Sequence, residues 1–120
     1  MLIDNFYKVL SSAHEDNEWH FEVVLPVSCH IYRGHFPEQP IAPGVCLIEM
    51  VRELSEQAIG RPLRITSITK CKFSALLLPS DTDVLQVNIR LLSSNDNEIT
   101  IDASVCKQAT TYTRMQAMLS

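Results

Sequence analysis

A histidine, a glycine and a glutamate are spaced along a proline-rich segment and the helix pattern that follows it. The segment GHFPEQPIAPGVCLIE, residues 34–49, places His35 near its start, Gly44 at the expected first turn of a helix and Glu49 at its end. Its three prolines fix φ and lack a backbone N–H, so the stretch before Gly44 is neither helix nor central strand. The segment therefore holds a constant offset between the histidine and the helix start.

These residue types suit proton transfer beside a carbonyl group. A histidine can accept a proton as a general base. Gly44 has no side chain, so a ligand can approach the backbone N–H groups of Gly44 and Val45, which are unpaired and lie at the positive end of the helix dipole. Such groups would form an oxyanion hole. Glu49, about one and a half turns into the helix, would supply an acid on an adjacent face.

The elements that position these residues are predicted from apolar periodicity. A helix is predicted over about 44–59, with Gly60 ending it and Pro62 beyond. The apolar stripe of this helix consists of Leu47, Ile48, Val51, Leu54 and Ala58. Alternating apolar residues predict strands over 19–28, 64–74, 83–93, 98–107 and 111–119, with a hairpin turn at 93–98. Helical spacing near the start predicts a short helix over about 2–10.

One long helix followed by a run of strands indicates an α+β fold, with one antiparallel sheet wrapped around a central helix at about 44–59. The 120 residues are expected to form a single domain spanning 1–120. Because 46% of the residues are hydrophobic, the chain can bury a core without disulfides or metal. A chain this small is expected to share a deep pocket between subunits.

Charge is distributed unevenly along the chain. The formal net charge is −4, which argues against a dedicated nucleic-acid binder. Residues 61–72, RPLRITSITKCK, contain no acidic residue and carry a charge of +4, so the remaining chain carries −8. The four cations are Arg61, Arg64, Lys70 and Lys72. A solvated strand face and a docking surface for an anionic partner both fit this stretch.

The four cysteines show no C-x-x-C spacing, which favours free thiols in a reducing cytosol over disulfides or a zinc site. The first ten residues are too short and too acidic for a signal peptide, and no apolar run approaches the roughly 20 residues of a membrane span. We therefore expect a cytoplasmic protein without a metal site. Cys46, in the first helical turn, is expected to be a packed thiol rather than a nucleophile.

The segment GHFPEQPIAPGVCLIE resembles the active-site segment of the (3R)-hydroxyacyl-acyl-carrier-protein dehydratases, a family with the hot-dog fold. The family motif H-F-P-x-x-P-x-x-P-G-V is followed by a carboxylate fourteen residues after the histidine. The residues that match it are His35, Phe36, Pro37, Pro40, Pro43, Gly44, Val45 and Glu49. A weaker likeness joins KFSALLLPSDT to a second family turn through Phe73, Pro79 and Asp81.

The resemblance implies a hot-dog fold and the dehydration of 3-hydroxyacyl thioesters to trans-2-enoyl thioesters without a cofactor. In that scheme His35 takes the α-proton, the N–H groups at Gly44 and Val45 stabilise the thioester oxygen, and Glu49 protonates the leaving hydroxyl. The acyl group would be carried by acyl carrier protein or coenzyme A. The histidine and the carboxylate would come from different subunits of a homodimer, which can assemble further.

Several positions depart from the family pattern. Glu38 stands where the family often has glycine, and Glu53 stands where a glutamine is common. The second motif has Ser74, Ala75 and Leu76 in place of a basic pair and a proline. Since those basic residues contact the acidic carrier protein in the family, the cations of 61–72 are the candidates to replace them.

Two other functions fit parts of the pattern. A thioesterase on the same fold would activate water with a carboxylate and would not need the His-Phe-Pro motif. A non-catalytic hot-dog subunit that pairs with an active dehydratase would keep only the fold and the interface. The intact pair of His35 and Glu49 favours the dehydratase over both alternatives.

Overall fold

The computed structural model describes residues 5–34 and 40–120, and within them six strands and two helices follow one another along the chain. The strands are β1 (Lys8–Glu15), β2 (Glu18–Leu25), β3 (Ile65–Phe73), β4 (Ser80–Ser94), β5 (Ile99–Lys107) and β6 (Thr110–Leu119). The helices are α1 (Ile31–Gly34) and α2 (Gly44–Ile59). No helix among these residues is long and apolar enough to cross a membrane.

The strands form one sheet in the order β1-β2-β4-β5-β6-β3, and all neighbours are antiparallel. Consecutive hairpins account for β1-β2 and for β4-β5-β6. Strand β3 follows α2 in sequence but lies at the far edge, beside β6. The chain therefore crosses the sheet through α2 between β2 and β3, and this crossing places the helix over the sheet's apolar face.

The core lies between α2 and the inner face of the sheet. Inner residues pair across the central strands, with Val87 opposite Val105 and Ile89 opposite Ala103, and all four are buried. The buried face of α2 consists of Cys46, Leu47, Met50, Val51, Leu54 and Ser55. Of the predicted stripe, three residues belong to this face, while Ile48 and Ala58 pack partly buried against the core. The predicted central helix and antiparallel sheet are thus confirmed.

Helix α2 begins and ends where its sequence indicates. The Pro43 carbonyl accepts bonds from the N–H groups of Cys46 (3.0 Å) and Leu47 (3.2 Å), which closes the first turn. At the other end Gly60 adopts φ 87°, in the left-handed region, and its N–H donates to the Glu56 carbonyl at 2.8 Å. Glycine reaches this conformation without steric cost, which explains why the helix stops there.

Two local predictions were wrong, and one short helix was not predicted. The residues over 8–10 begin β1 instead of continuing an N-terminal helix, because pairing with β2 satisfies their backbone while a helix of so few residues is marginal in water. The strand predicted over 19–28 ends at Leu25, since Pro26 lacks the N–H needed for a ladder bond. The short helix α1 was not anticipated.

The connection from α2 to β3 is fixed by two side chains of the helix. The Glu56 carboxylate accepts a hydrogen bond from the Leu63 N–H at 2.8 Å, and Arg52 Nη1 donates to the Leu63 carbonyl at 2.9 Å. Glu56 also forms an ion pair with Arg52 at 2.9 Å. The hydrogen bond from the Leu63 N–H is the largest cause that lowers the pKa of Glu56. Burial opposes it, and the charge and hydrogen bond of Arg52 lower the pKa further.

We expect Glu56→Gln to reduce the free energy of unfolding by roughly 0.5–1 kcal/mol near pH 7, the scale of a partly solvated ion pair. A carboxyl whose folded pKa is lowered contributes stability above its unfolded value of about 4.3, and this contribution is lost as the pH falls through the folded pKa. Urea unfolding at several pH values should therefore show a difference that shrinks in acid. Glu18→Gln, at an exposed position of β2, is the control. If the difference in unfolding free energy between the native chain and Glu56→Gln does not change with pH, the lowered pKa of Glu56 is contradicted.

Candidate active site

The first turn of α2 is shaped by a contact between Gly44 and Phe73. A Cβ atom added to Gly44 would lie 2.7 Å from the tip of the Phe73 ring, closer than real Cβ contacts allow. Gly44 therefore lets the end of β3 approach the helix start. This contact brings together the two segments whose likeness to the dehydratases was noted separately, one through Gly44 and the other through Phe73.

The N–H groups of Gly44 and Val45 precede the first hydrogen bonds of α2. The earliest donors in the helix are Cys46 and Leu47, both to the Pro43 carbonyl. The Val45 side chain is 74% exposed, so this side of the first turn faces outward. The geometry suits an acceptor placed at the helix start. An oxyanion hole at this place stays a prediction.

Glu49 lies on the polar side of α2, above a groove of about 790 Å³. The groove is lined by Glu49, Arg52, Pro62, Leu63, Arg64, Ile65 and Ser120. The side chain of Glu49 is 32% exposed and forms an ion pair and a hydrogen bond with Arg52. The structure thus places the candidate acid at an open surface, next to a positive charge.

Arg52 links Glu49 to two further carboxylates and to the chain beyond the helix. Its guanidinium lies 2.9 Å from Glu56 and 3.9 Å from Glu53. Burial acts to lower the pKa of Arg52, but the hydrogen bonds and charges of Glu49 and Glu56 together raise it. The Tyr7 hydroxyl donates to Glu53 at 2.9 Å, and burial followed by this bond raises the pKa of Tyr7.

The sequence interpretation missed the roles of Arg52 and Tyr7. A signal for Arg52 was present, because it stands three residues after Glu49 and four before Glu56, the spacings at which helical side chains meet. Tyr7 had no such signal, since it lies 46 residues from Glu53 in sequence. Glu53, noted as a departure from the family, is part of this network.

His35 lies outside the described residues, together with Phe36, Pro37, Glu38 and Gln39. That His35 and Glu49 meet in one site therefore stays a prediction. The described chain resumes at Pro40, and the Ala42 N–H donates to the Leu77 carbonyl at 2.8 Å. This bond ties the segment before α2 to the chain between β3 and β4.

The four cations of 61–72 fall into two groups. Arg61 donates to the carbonyl of Ser120 at 3.0 Å, and the Arg64 carbonyl accepts from the Ser120 N–H at 2.8 Å, so both lie at the end of the sheet where β3 begins. Lys70 and Lys72 lie further along β3, opposite Gln116 and Arg114. All four side chains are exposed. Their role in docking stays a prediction.

Two buried thiols and a buried phenol lie beneath the start of α2. Cys29 and Cys46 are buried free cysteines, and burial raises the pKa of the Cys46 thiol, which disfavours the reactive thiolate. Burial, followed by these two thiols, raises the pKa of Tyr32. Its hydroxyl has no hydrogen-bond partner within residues 5–34 and 40–120. No group of metal-binding side chains occurs in that part of the chain.

Several known proteins resemble this chain. The model of the ApeI-like family, described as ApeI dehydratase, matches residues 11–113. A 3-hydroxyacyl-[acyl-carrier-protein] dehydratase FabZ of Wolbachia pipientis wMel is 32% identical over 93 residues, which cover 72% of this chain and 65% of that protein. The FabZ of Chlamydia pneumoniae is 30% identical over 128 residues, covering 99% of this chain and 82% of that protein. The chain spans about half to two thirds of the length of several such relatives.

Solved structures share the fold at lower identity. A chain of the dehydratase heterocomplex ApeI:P from Xenorhabdus doucetiae is 22% identical, with a TM-score of 0.75 over 93% of this chain and 96% of that chain. A hypothetical thioesterase with coenzyme A from Streptococcus pneumoniae TIGR4 is 10% identical, with a TM-score of 0.67 over 94% and 86%. These likenesses confirm the hot-dog architecture.

The family match spans most of the chain, from β1 to β6, and includes both the helix start at Gly44 and the carboxylate at Glu49. It agrees with the motif that first indicated a dehydratase. The chain is therefore a divergent member of the ApeI-like dehydratase family, built on the hot-dog fold.

Proposed function

We propose that this chain removes water from 3-hydroxyacyl thioesters to give trans-2-enoyl thioesters. The observation that carries the proposal is the arrangement on α2, where Gly44 opens the first turn and Glu49 reaches a groove from the polar side. Both stand at the spacing from His35 that the dehydratase motif has. Membership of a dehydratase family supports the same reaction.

In the proposed mechanism His35 accepts the proton from the α-carbon as that C–H bond breaks. The N–H groups of Gly44 and Val45 stabilise the negative charge that develops on the thioester oxygen. Glu49 donates a proton to the β-hydroxyl, the C–O bond breaks, and water leaves as the double bond forms. His35 ends protonated and Glu49 ends as a carboxylate, and exchange with solvent resets both. Proton transfers alone balance this reaction, so the scheme needs no cofactor.

We propose acyl carrier protein as the carrier, with coenzyme A as the alternative. Curated relatives are named as dehydratases of carrier-linked substrates, and a thioesterase of the same fold was solved with coenzyme A. Carrier proteins are acidic, and Lys70 and Lys72 are exposed together on β3. In this proposal the carrier is cytoplasmic, and free thiols fit a reducing cytosol. We therefore expect the protein to act in the cytoplasm.

We also propose that the active unit is a homodimer joined through β3. Within the described residues β3 pairs only with β6, so its other edge presents unpaired N–H and C=O groups. Ile68 and Phe73 are exposed on this strand. The Phe73 ring lies against Gly44, and the next residue, Val45, is also exposed. A second copy on this edge would cover the apolar residues and bring a second helix start near Glu49.

The dehydratase ApeI:P from Xenorhabdus doucetiae is a heterocomplex, so a different hot-dog subunit is the competing partner for this chain. In that case the chain would supply only part of a mixed site. A pure preparation that dehydrates substrate by itself would support the homodimer. Activity that appears only after a second hot-dog protein is added would support the mixed assembly.

We expect His35→Ala and Glu49→Gln each to lower turnover about 10²-fold or more, because each removes a general acid or base. The measurement is enoyl-thioester absorbance with carrier-linked and coenzyme-A-linked 3-hydroxyacyl substrates of several lengths. His14→Ala and Glu15→Gln, at exposed positions on β1 outside the site, are matched controls. Near-normal turnover in either site variant contradicts its assigned role. Release of free thiol without enoyl absorbance would indicate a thioesterase instead.

Mixing the two inactive variants provides a separate test of the shared site. If His35 and Glu49 come from different subunits, a mixed dimer of His35→Ala and Glu49→Gln carries one intact site, so subunit exchange should restore part of the activity. Exchange is verified with differently tagged subunits, and dimer mass is measured by light scattering. Proven exchange without recovery, or an active monomer, would count against a shared site.

The separation of the basic residues allows carrier docking to be located. Charge reversal of Lys70 and Lys72 together should raise KM several-fold for a carrier-linked substrate, more at low than at high salt, because steering depends on the summed field. The same reversal of Arg61 and Arg64 is the comparison at the other end of β3. A short acyl-pantetheine substrate should be nearly unaffected, and dimer mass should be unchanged. Equal losses on both substrates would show that these cations support the fold.

A further inference from the structure

We propose that Arg52 is a positioning residue that holds Glu49 for proton transfer and stabilises the charge that Glu49 acquires. This inference rests on the proposed function, in which Glu49 is the acid. Arg52 contacts the same oxygen of Glu49, Oε1, through both Nε and Nη2, so a charged partner lies against that oxygen from two donors. Such a contact holds one oxygen of Glu49 in a defined place above the groove.

Arg52 is itself held from its other side. Its Nη1 donates to the Leu63 carbonyl at 2.9 Å and lies 2.9 Å from Glu56. Glu56 in turn accepts from the Leu63 N–H at 2.8 Å. The guanidinium is therefore anchored to the chain that leads into β3, on rigid backbone. A catalytic group needs such a support, because the flexible glutamate side chain alone would sample several rotamers.

A second support comes from the start of the chain. Glu53 lies 3.9 Å from Arg52 and accepts a hydrogen bond from the Tyr7 hydroxyl at 2.9 Å. Tyr7 is partly buried against the core. Arg52 therefore lies among three carboxylates, two of which are bound to groups outside α2. Only Glu49 of the three lines the groove at the candidate site, where Arg52 also lies.

The chemistry explains why a cation at this place affects the reaction. When Glu49 gives its proton to the leaving hydroxyl, a negative charge forms on its carboxylate. Arg52 is in place to stabilise that charge as it forms, which is an interaction gained in the transition state. The Arg52 side chain is only 17% exposed, so water screens this attraction less than at an open surface. For comparison, Arg114 in the ion pair with Asp102 is 70% exposed.

Kinetics of two Arg52 variants test this role. Arg52→Gln should lower kcat at least tenfold and leave KM within about threefold, because the lost interaction belongs to the transition state. Arg52→Lys keeps the charge but not the forked contact, so it should recover part of kcat. Arg114→Gln breaks the ion pair with Asp102, away from the candidate site, and leaves the partner of Glu49 in place. It is the matched control and should keep most of kcat.

A readout that does not need turnover separates this inference from the proposed function. Three-bond NMR couplings of the Glu49 side chain should show one rotamer in the native chain and in Arg114→Gln, and rotamer averaging in Arg52→Gln. Averaging already in the native chain would overturn the inference. So would a kcat in Arg52→Gln equal to that in Arg114→Gln. In one further outcome, Glu49 holds one rotamer in the native chain and loses it in Arg52→Gln, while the native chain dehydrates no substrate. That combination would refute the proposed function and still support the positioning of Glu49.

Discussion

Helix α2 is fixed at both of its ends, and every feature of the candidate site depends on this. At its start, Gly44 lies so close to the Phe73 ring that a Cβ atom there would require the ring to move. At its end, Arg52 and Glu56 bind both polar groups of the Leu63 peptide backbone. The first contact lies at the end of β3, and the second lies just before its start. The helix is therefore set along that edge strand, and its first turn and polar side keep a fixed place relative to the sheet edge.

In this position the helix has an apolar face toward the sheet and a polar face away from it. The apolar face, which includes Met50 and Leu54, fills the core against the sheet. The polar face carries a network in which one arginine lies among three carboxylates. A glutamate on an exposed helix usually moves freely between rotamers. Here Glu49 has a cationic partner that is anchored to backbone, so a carboxylate at the surface can still have a defined position.

The edge strand β3 connects the site to possible partners. Its unpaired edge and exposed Phe73 border the first turn of α2, while Lys70 and Lys72 stand on the same strand. A surface that is apolar at one place and basic at another can bind two different partners without conflict. In the proposed function the apolar edge receives a second subunit and the cations receive an acidic carrier. Both partners would then meet beside the helix start, where a thioester has to be presented.

The sequence by itself determined α2 and most of the strands, and it indicated the family. Apolar periods of 3.6 and 2 predicted α2 and four strands close to their observed bounds, because these periods follow from helix and strand geometry alone. The spacing from His35 to Glu49 indicated the dehydratase family. Only the tertiary structure decided that β3 lies beside β6, that Phe73 packs on Gly44, and that Tyr7 reaches the network of Arg52. Those are contacts between residues far apart in sequence, and no local pattern encodes them, since they arise only when the helix crosses the sheet and brings distant segments together.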